Sequence, residues 1–491
     1  MKAAILAENP TRAPIRFNKP MHLRFPLLIA AILAGTLAPD AMAFGTLDPF
    51  DTQAITPPRP LLYPSVDGRF VTCKPLPAGA SYSVIEVVDL ALCQNPKTRE
   101  AWANARAQAA QVGVAQSDYL PSLDGKASVS RYRIDSQNAN QRSASLTLSW
   151  LIYDFGARSA NLEIARQFLS AATSTLDSTV QNVFLSALQS YYNAQAARAA
   201  LIAALESEKA SRESLTAAEV RYKVGSGTPA DRLLAQTAWS QATLNRIRTE
   251  GVLKIAFGTL ANVMGLDANQ PLKLVDIPAG NPEASFERDI DALIVEARQR
   301  RPDLMAAEAR VKAAQANVDY TLASGLPTLS VGAGPTWLDT GNITSNSSSI
   351  GLTLTLPLFS GFSTTYQVRS AQANAEVSEA QRDNLNLQVA LDVWNAYQSL
   401  ITATQTIRTT IDLLASAEQS ERVALGRYKA GVGSILDVLN AQSALASARL
   451  QRIQALLDWY VSRATLAKAV GVLDSSLLDP DAGKNQGAKT P

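Results

Sequence analysis

Adding 206 to a residue number reproduces its surroundings, without a gap, over most of this 491-residue chain. Asn95-Pro96 becomes Arg301-Pro302, Leu120-Pro121 becomes Leu326-Pro327, and Tyr191 becomes Tyr397. Arg221-Tyr222-Lys223 with Gly225 becomes Arg427-Tyr428-Lys429 with Gly431, and Asp231 becomes Asp437. A duplicated unit must fold twice by one set of local rules, so the repeat constrains the architecture more than any single motif. The copies run from about Ser83 to Leu266 and from about Asp289 to Val472, joined by 267–288.

Each copy predicts the same order of elements. An alanine-rich helix comes first, Asn95 to Asp118 or Pro302 to Ala323, and ends at a Leu-Pro pair, because proline steers the residue before it out of the helical region. Two strand-like segments follow. Leu146, Leu148 and Trp150 alternate with Thr147 and Ser149, and Leu352, Leu354 and Leu356 alternate with Thr353 and Thr355. That period of two marks a sheet with one apolar face. The partner segments are Ser122 to Ile134 and Thr328 to Leu338, and the polar stretches Asp135 to Arg142 and Asp339 to Ser348 read as solvent loops.

The next segment is unusual. Residues 157–224 contain neither glycine nor proline, and 363–430 contain only Gly426. A helix of that length reaches ~100 Å at 1.5 Å per residue, which is coiled-coil-like material. Leu176, Val180, Val183, Leu188 and Tyr191 recur at three- to five-residue steps and predict one packed face. The turns Val224-Gly225-Ser226-Gly227 and Ala430-Gly431-Val432-Gly433 reverse the chain into a second long helix, Pro229 to about Met264 or Ile435 to about Val470.

Composition removes whole classes of function. The formal net charge is +2, which offers no general grip on nucleic acid. The single histidine, His22, lies in a targeting segment. Lys2, Arg12, Arg16, Lys19 and Arg24 precede the apolar run Phe25 to Leu37, which ends in Ala41-Met42-Ala43. That pattern predicts a signal peptide over 1–43, with Met21 an alternative start. Without His22 the mature chain has no imidazole for triad chemistry or a metal. No phosphate or metal motif appears either, so no cofactor and no enzyme are expected. A Pro-rich extension, 44–82, follows the leader, and a polar tail, 473–491, is expected to be disordered. Cys73 and Cys93 in an exported chain favour a disulfide, with two buried thiols as the alternative.

Four strands leave a problem of edges. A sheet in lipid must close, because unpaired backbone groups there cost several kcal/mol each, and single-chain barrels begin at ~8 strands. Either several chains share one barrel, or the sheet is soluble and packs on helices.

The gapless repeat, the Asn95-Pro96 and Arg301-Pro302 helix starts, the Leu-Pro strand entries and the two Arg-Tyr-Lys-x-Gly tips together resemble the TolC family. So do the tracts Trp150 to Gly156 and Leu356 to Phe362. The resemblance covers about Ser83 to Leu473. It implies a mainly α fold with a membrane β-barrel. A homotrimer would share twelve strands in the outer membrane and build a tunnel of long helical hairpins through the periplasm. The implied partners are a periplasmic adaptor, an inner-membrane ABC or other export pump, and outer-membrane lipids. No cysteine follows the cleavage site, which places the chain with unacylated members. Among these it most resembles the components serving type I protein secretion, including that of an adenylate cyclase toxin. Multidrug efflux is the alternative duct, and a soluble periplasmic scaffold the alternative of another class.

The resemblance also assigns residues. Asp437 matches the family's aspartate at the periplasmic constriction, where three copies would form an acidic ring favouring cations. Asn440 stands one turn on, where the family has a second acid, and Asp231 is the first-repeat counterpart. Tyr222 and Tyr428, with Arg221 and Arg427, match the tip contacts. Val224, Gly225, Ser226, Gly431 and Val432 match the surface that docks an adaptor. The residues themselves offer a plainer role for both aspartates: each stands three places after a hydroxyl, Thr228 or Ser434, in a helix-capping pattern.

Overall fold

Both repeats begin where a side chain can satisfy the free N–H groups of a helix start. Ser83 caps α1 (Val84–Gln94): its Oγ accepts the Glu86 N–H at 3.3 Å, while Glu86 Oε2 accepts the Ser83 N–H at 2.7 Å. Asp289 caps α5 (Ile290–Arg300) at the equivalent place. These short helices are absent from the sequence expectation, although Ser83-Val-Ile-Glu86 is a readable capping box. The computed structural model describes residues 48–58, 81–134, 137–275, 289–341 and 343–473. The leader, most of the extension with Cys73, and the tail beyond 473 lie outside the described residues. Residues from Asp51 onward form one unit. Of the other, Met1–Phe50, only the turn at 48–50 is described. Cys93, buried near the end of α1, is disulfide-bonded.

Each copy continues with a helix opened by proline, which has no N–H to leave unsatisfied. These are α2 (Pro96–Ser117) and α6 (Pro302–Ser324). Asn95 caps α2 by accepting the Lys97 N–H at 3.0 Å, and its Nδ2 donates to Val263 O at 3.0 Å. Arg301 occupies the same repeat position without a capping bond. Its guanidinium instead grips Asp303 at 2.6 Å and Asp392 at 2.7 Å.

The strands are β2 (Ser122–Ile134), β3 (Gln137–Tyr153), β5 (Thr328–Asp339) and β6 (Thr344–Thr355), in one antiparallel sheet ordered β2-β3-β5-β6. A separate parallel pair, β1 (Ser81–Tyr82) with β4 (Lys273–Leu274), ties the first repeat to the connection between repeats. The expected loops are corrected: β3 starts at Gln137 and β6 at Thr344, so most of 137–142 and 344–348 is strand. The ladder joins backbone groups and tolerates polar side chains wherever the flanking register is set. Register puts Leu123, Val129, Leu146, Leu148, Trp150, Val331, Leu352 and Leu354 on one face. Serines, threonines and glycines dominate the other, which also carries Asp124, Lys126, Tyr132 and Gln141. Most of that apolar face is exposed within one chain, and among the described residues no helix packs extensively on it.

A tight corner converts strand into long helix. Phe155 and Gly156 take left-handed backbone at φ 53° and 97°, as do Gly361 and Phe362 at 62° and 65°. Buried Asp154 accepts the Arg158 N–H at 2.8 Å and its Nε at 3.0 Å, and Arg158 donates to Leu151 O at 2.7 Å. The long helices α3 (Ala157–Lys223) and α7 (Ser363–Lys429) each have 67 residues. They reverse into α4 (Pro229–Val263) and α8 (Ile435–Val470). Among the described residues no helix is long and apolar enough to cross a membrane.

Alanine fills the contacts between helices and lets the backbones approach. Leu176, Val180, Val183, Leu188 and Tyr191 are all buried, in a core shared by α1, α3 and the end of α4. Helix α3 packs on α2, α4, α6 and α8, whereas α7 packs chiefly on α5, α6 and α8. The repeat counterparts of α3·α6 and α3·α8 are therefore not made at comparable extent within the chain.

At the Arg301 junction, burial pushes the Asp303 carboxyl up, but the bonds and charge of Arg301 and the Leu304 N–H outweigh it, so its pKa lies below 3.8. A carboxylate depressed in the folded state adds stability above its unfolded pKa and loses it as pH falls through the folded value. Wild-type protein should therefore lose stability more steeply below about pH 4 than Asp303→Asn. Thermal melts at stepped pH would show equal slopes if the junction contributes nothing.

Candidate functional site

The site is built where the two long hairpins end. Glycine terminates each because the reversal needs a left-handed residue: Gly225 has φ 76° and Gly431 φ 83°. The turns close on the last helical carbonyls. Ser226 N–H donates to Arg221 O at 2.9 Å and Gly227 N–H to the same oxygen at 3.0 Å, while Val432 N–H donates to Arg427 O at 3.0 Å. Val224 and Val432 stand 72% and 69% exposed at the two apices, apolar side chains left open among the described residues.

Both return helices then start with the same reciprocal cap. Thr228 Oγ1 accepts the Asp231 N–H at 3.1 Å and Asp231 Oδ2 accepts the Thr228 N–H at 3.0 Å. Ser434 and Asp437 repeat this at 3.1 and 3.2 Å. Each cap is worth ~1 kcal/mol, and the helix dipole favours the acid there. The capping role is thus observed for both aspartates, and it engages only Oδ2. Asp437 is exposed, and with Asn440 and Arg427 it lines an open groove of about 570 Å³ between α7 and α8. Asp231 is half-buried.

The tip residues divide unequally. Arg221 lies over the Tyr428 ring at 4.8 Å and donates from Nη1 to Tyr428 O at 2.9 Å, clasping the first hairpin to the second. Tyr428 is 4% exposed, and burial raises its phenol pKa; Arg221 lowers it and Asp231 adds to the rise. Its counterpart Tyr222 is 41% exposed, with Arg232 over its ring at 5.3 Å. Arg427, the counterpart of Arg221, is exposed. Structure therefore joins Arg221 to Tyr428 and leaves Arg427 and Tyr222 apart.

Two buried polar residues extend the clasp, and sequence reading missed their pairing. Gln442 Nε2 donates to Ser214 Oγ at 3.0 Å, linking α8 to α3. Their repeat counterparts, Gln236 and Ser420, are both exposed. Sequence carries no signal for the pairing, because the 206-residue offset marks these residues as copies without saying which of them meet. Among the described residues no group of His, Cys, Asp and Glu is arranged to hold a metal ion within one chain. The arrangement presents carboxylates, apolar apices and contact halves left open within one chain.

A family model described as outer membrane efflux protein matches residues 87–266 and 293–472, one match per repeat. Protein CyaE of Bordetella pertussis is 32% identical over 411 residues, covering 82% of this chain and 86% of that protein. The outer membrane efflux protein BepC of Brucella suis biovar 1 is 27% identical, covering 77% and 82%. The outer membrane channel CmeC of Campylobacter jejuni shares the fold with a TM-score of 0.72, at 20% identity, over 82% of this chain and 88% of that one.

Proposed function

Because the chain belongs to the outer membrane efflux protein family, we propose that three copies of it close into one continuous duct. Membership makes it an efflux or secretion channel of the Gram-negative outer membrane with a periplasmic tunnel. In a trimer the sheets would join edge to edge. Four antiparallel strands leave β2 and β6 running in opposite directions, so copies join head to tail with the alternation intact and twelve strands close without an edge. The apolar face then meets lipid and the serine- and threonine-rich face lines the pore.

One observation carries the trimer: at several positions on the hairpins, residues related by the repeat have opposite burial. Leu188 is 1% exposed, whereas its counterpart Trp394 is 47% exposed. Ser214 and Gln442 are bonded and buried, whereas Ser420 and Gln236 lie open. In a ring of hairpins each contact made inside a chain recurs between chains. Ser420 of one copy then meets Gln236 of the next, and Arg427 meets the neighbouring Tyr222. Oxidising a Gln236→Cys/Ser420→Cys double variant should convert monomers into covalent trimers, read on a denaturing gel. A yield limited to monomers would refute the ring.

Asp437 is assigned the constriction. Its Oδ2 holds the cap, leaving Oδ1 for an acidic ring about the threefold axis. With Asn440 in place of a second acid, a single ring sets the selectivity. The purified protein in a planar bilayer should give small cation-selective steps blocked by a trivalent cation. Asp437→Asn, which keeps an acceptor for the cap, should abolish the block; an unchanged block would move the gate elsewhere.

The apices, with Val224 and Val432 beside the left-handed glycines, are assigned to an adaptor's helical hairpin, behind which an inner-membrane pump supplies cargo. The cargo is a protein exported by type I secretion. The supports are the resemblance to that branch and a higher identity to CyaE than to the relative named for efflux. A Cβ on Gly431 would meet nothing within 4 Å, so a bulky residue there strains only the turn. Gly431→Trp should abolish protein secretion with trimers intact and drug susceptibility unchanged. Raised drug susceptibility with secretion intact would assign the duct to efflux instead.

A further inference from the structure

The first strand hairpin carries a charge pattern that neither the duct nor the repeat requires. Arg131 lies opposite Asn140, Arg133 opposite Asn138, and Arg142 opposite Val129. Residues facing each other across a ladder share a side, and alternate residues of a strand share a side. Arg131 and Arg133 therefore stand on the side of Leu123 and Val129, and Arg142 on that of Leu146, Leu148 and Trp150. All three guanidinium groups project from the apolar outer face rather than from the serine-lined inner one.

Their height is set by the same register. The helices leave the sheet at the Trp150 end, so the hairpin turns mark the cell-surface end. Trp150 and Trp337 lie on the outer face near opposite ends of the apolar band, where aromatic side chains anchor a barrel at the two interfaces. Trp337 is opposite Ala144, and Arg142 is one pleat further out, ~7 Å along the strand. Arg131 and Arg133 continue the line at ~7 Å steps. All three are exposed, and no ion pair joins them to a carboxylate among the described residues. Asp339, opposite Arg142, is engaged by the Gly341 N–H at 2.9 Å. The second hairpin has Trp337, Asp339 and Ser348 at the matching positions, so the scaffold does not demand arginine.

We infer that Arg131, Arg133 and Arg142 form a binding strip for the phosphate groups of phosphorylated glycolipids in the outer leaflet of the outer membrane. Hydrocarbon disfavours arginine on a barrel's outer face, and the penalty falls away only toward the interface. The strip therefore lies outside the hydrocarbon, beginning at headgroup height one pleat beyond Trp337, where a forked guanidinium binds phosphate in two-point fashion. A lipid-borne phosphate fits better than a free one, because Gly125, Ala127 and Ala144 leave a shallow furrow between Leu146 and Trp337 directly beneath the arginines, a bed for an acyl chain. The inference rests on the sheet being part of a closed outer-membrane barrel.

The test reconstitutes the full chain with diphosphorylated lipid A, with the same glycolipid stripped of phosphate, or with phosphatidylglycerol. It reads lipid retained per protein after detergent washing, and channel conductance. Wild-type protein should retain the diphosphorylated lipid selectively. Arg131→Ser/Arg133→Ser/Arg142→Ser should retain it on the order of a hundredfold less, at about fivefold per cation, with conductance unchanged. Equal retention by the serine variant, or of the stripped glycolipid by wild type, would overturn the inference. So would displacement of the lipid by equimolar inorganic phosphate, which would identify a free-anion site. Were the serine variant not to fold, the wild-type lipid series decides alone. Wild type that forms no channel would instead sink the barrel on which the inference stands.

Discussion

An unpaired backbone amide in lipid has no water to turn to, and the rest of this molecule is arranged around that fact. One chain supplies four strands and two open edges, β2 and β6. Neither edge carries a helix, a bulge or a proline to blunt it in the manner of soluble sheets. Closure has to come from other copies, and the antiparallel relation of the two edges lets identical chains supply it. Once the sheets join head to tail, the helices beneath them are carried into a ring. The contacts that α3 makes with α6 and α8 inside a chain then have a place to recur on α7.

The duplication explains why the two halves of one chain look alike in sequence and unlike in burial. Helix α3 is the inner neighbour of second-repeat helices within its own chain, whereas α7 presents the matching surface outward. Trp394 and Gln236 are exposed for that reason, although their counterparts Leu188 and Gln442 are buried. A large aromatic in place of leucine also suits a surface that is covered only on assembly.

At the tips, local folding chemistry fixes the side chains to which the constriction is assigned here. Thr228 with Asp231 and Ser434 with Asp437 satisfy helix starts that would otherwise leave donors unpaired. The cap pins each carboxylate close to the turn and fixes its height. The Arg221–Tyr428 clasp does the same for the hairpin pair, holding two tips in register inside one chain.

Much of this was legible beforehand because it is local. The absence of glycine and proline in 157–224 dictates one long helix, Gly225 and Gly431 dictate its reversal, and the period-two pattern at Leu146 to Trp150 dictates a one-sided sheet. Each depends only on neighbours along the chain. The short helices α1 and α5 were hidden by looking for long periodic runs, and the polar strand ends at 137–142 by reading polarity as loop, when a ladder extends through any side chain once its register is set. What tertiary structure alone decided is which of two equivalent residues is covered. Sequence states that Ser214 and Ser420, or Gln236 and Gln442, are copies. It cannot state that one member of each pair is bonded and the other open, because burial is a property of what lies across the contact, tens to hundreds of residues away in the chain.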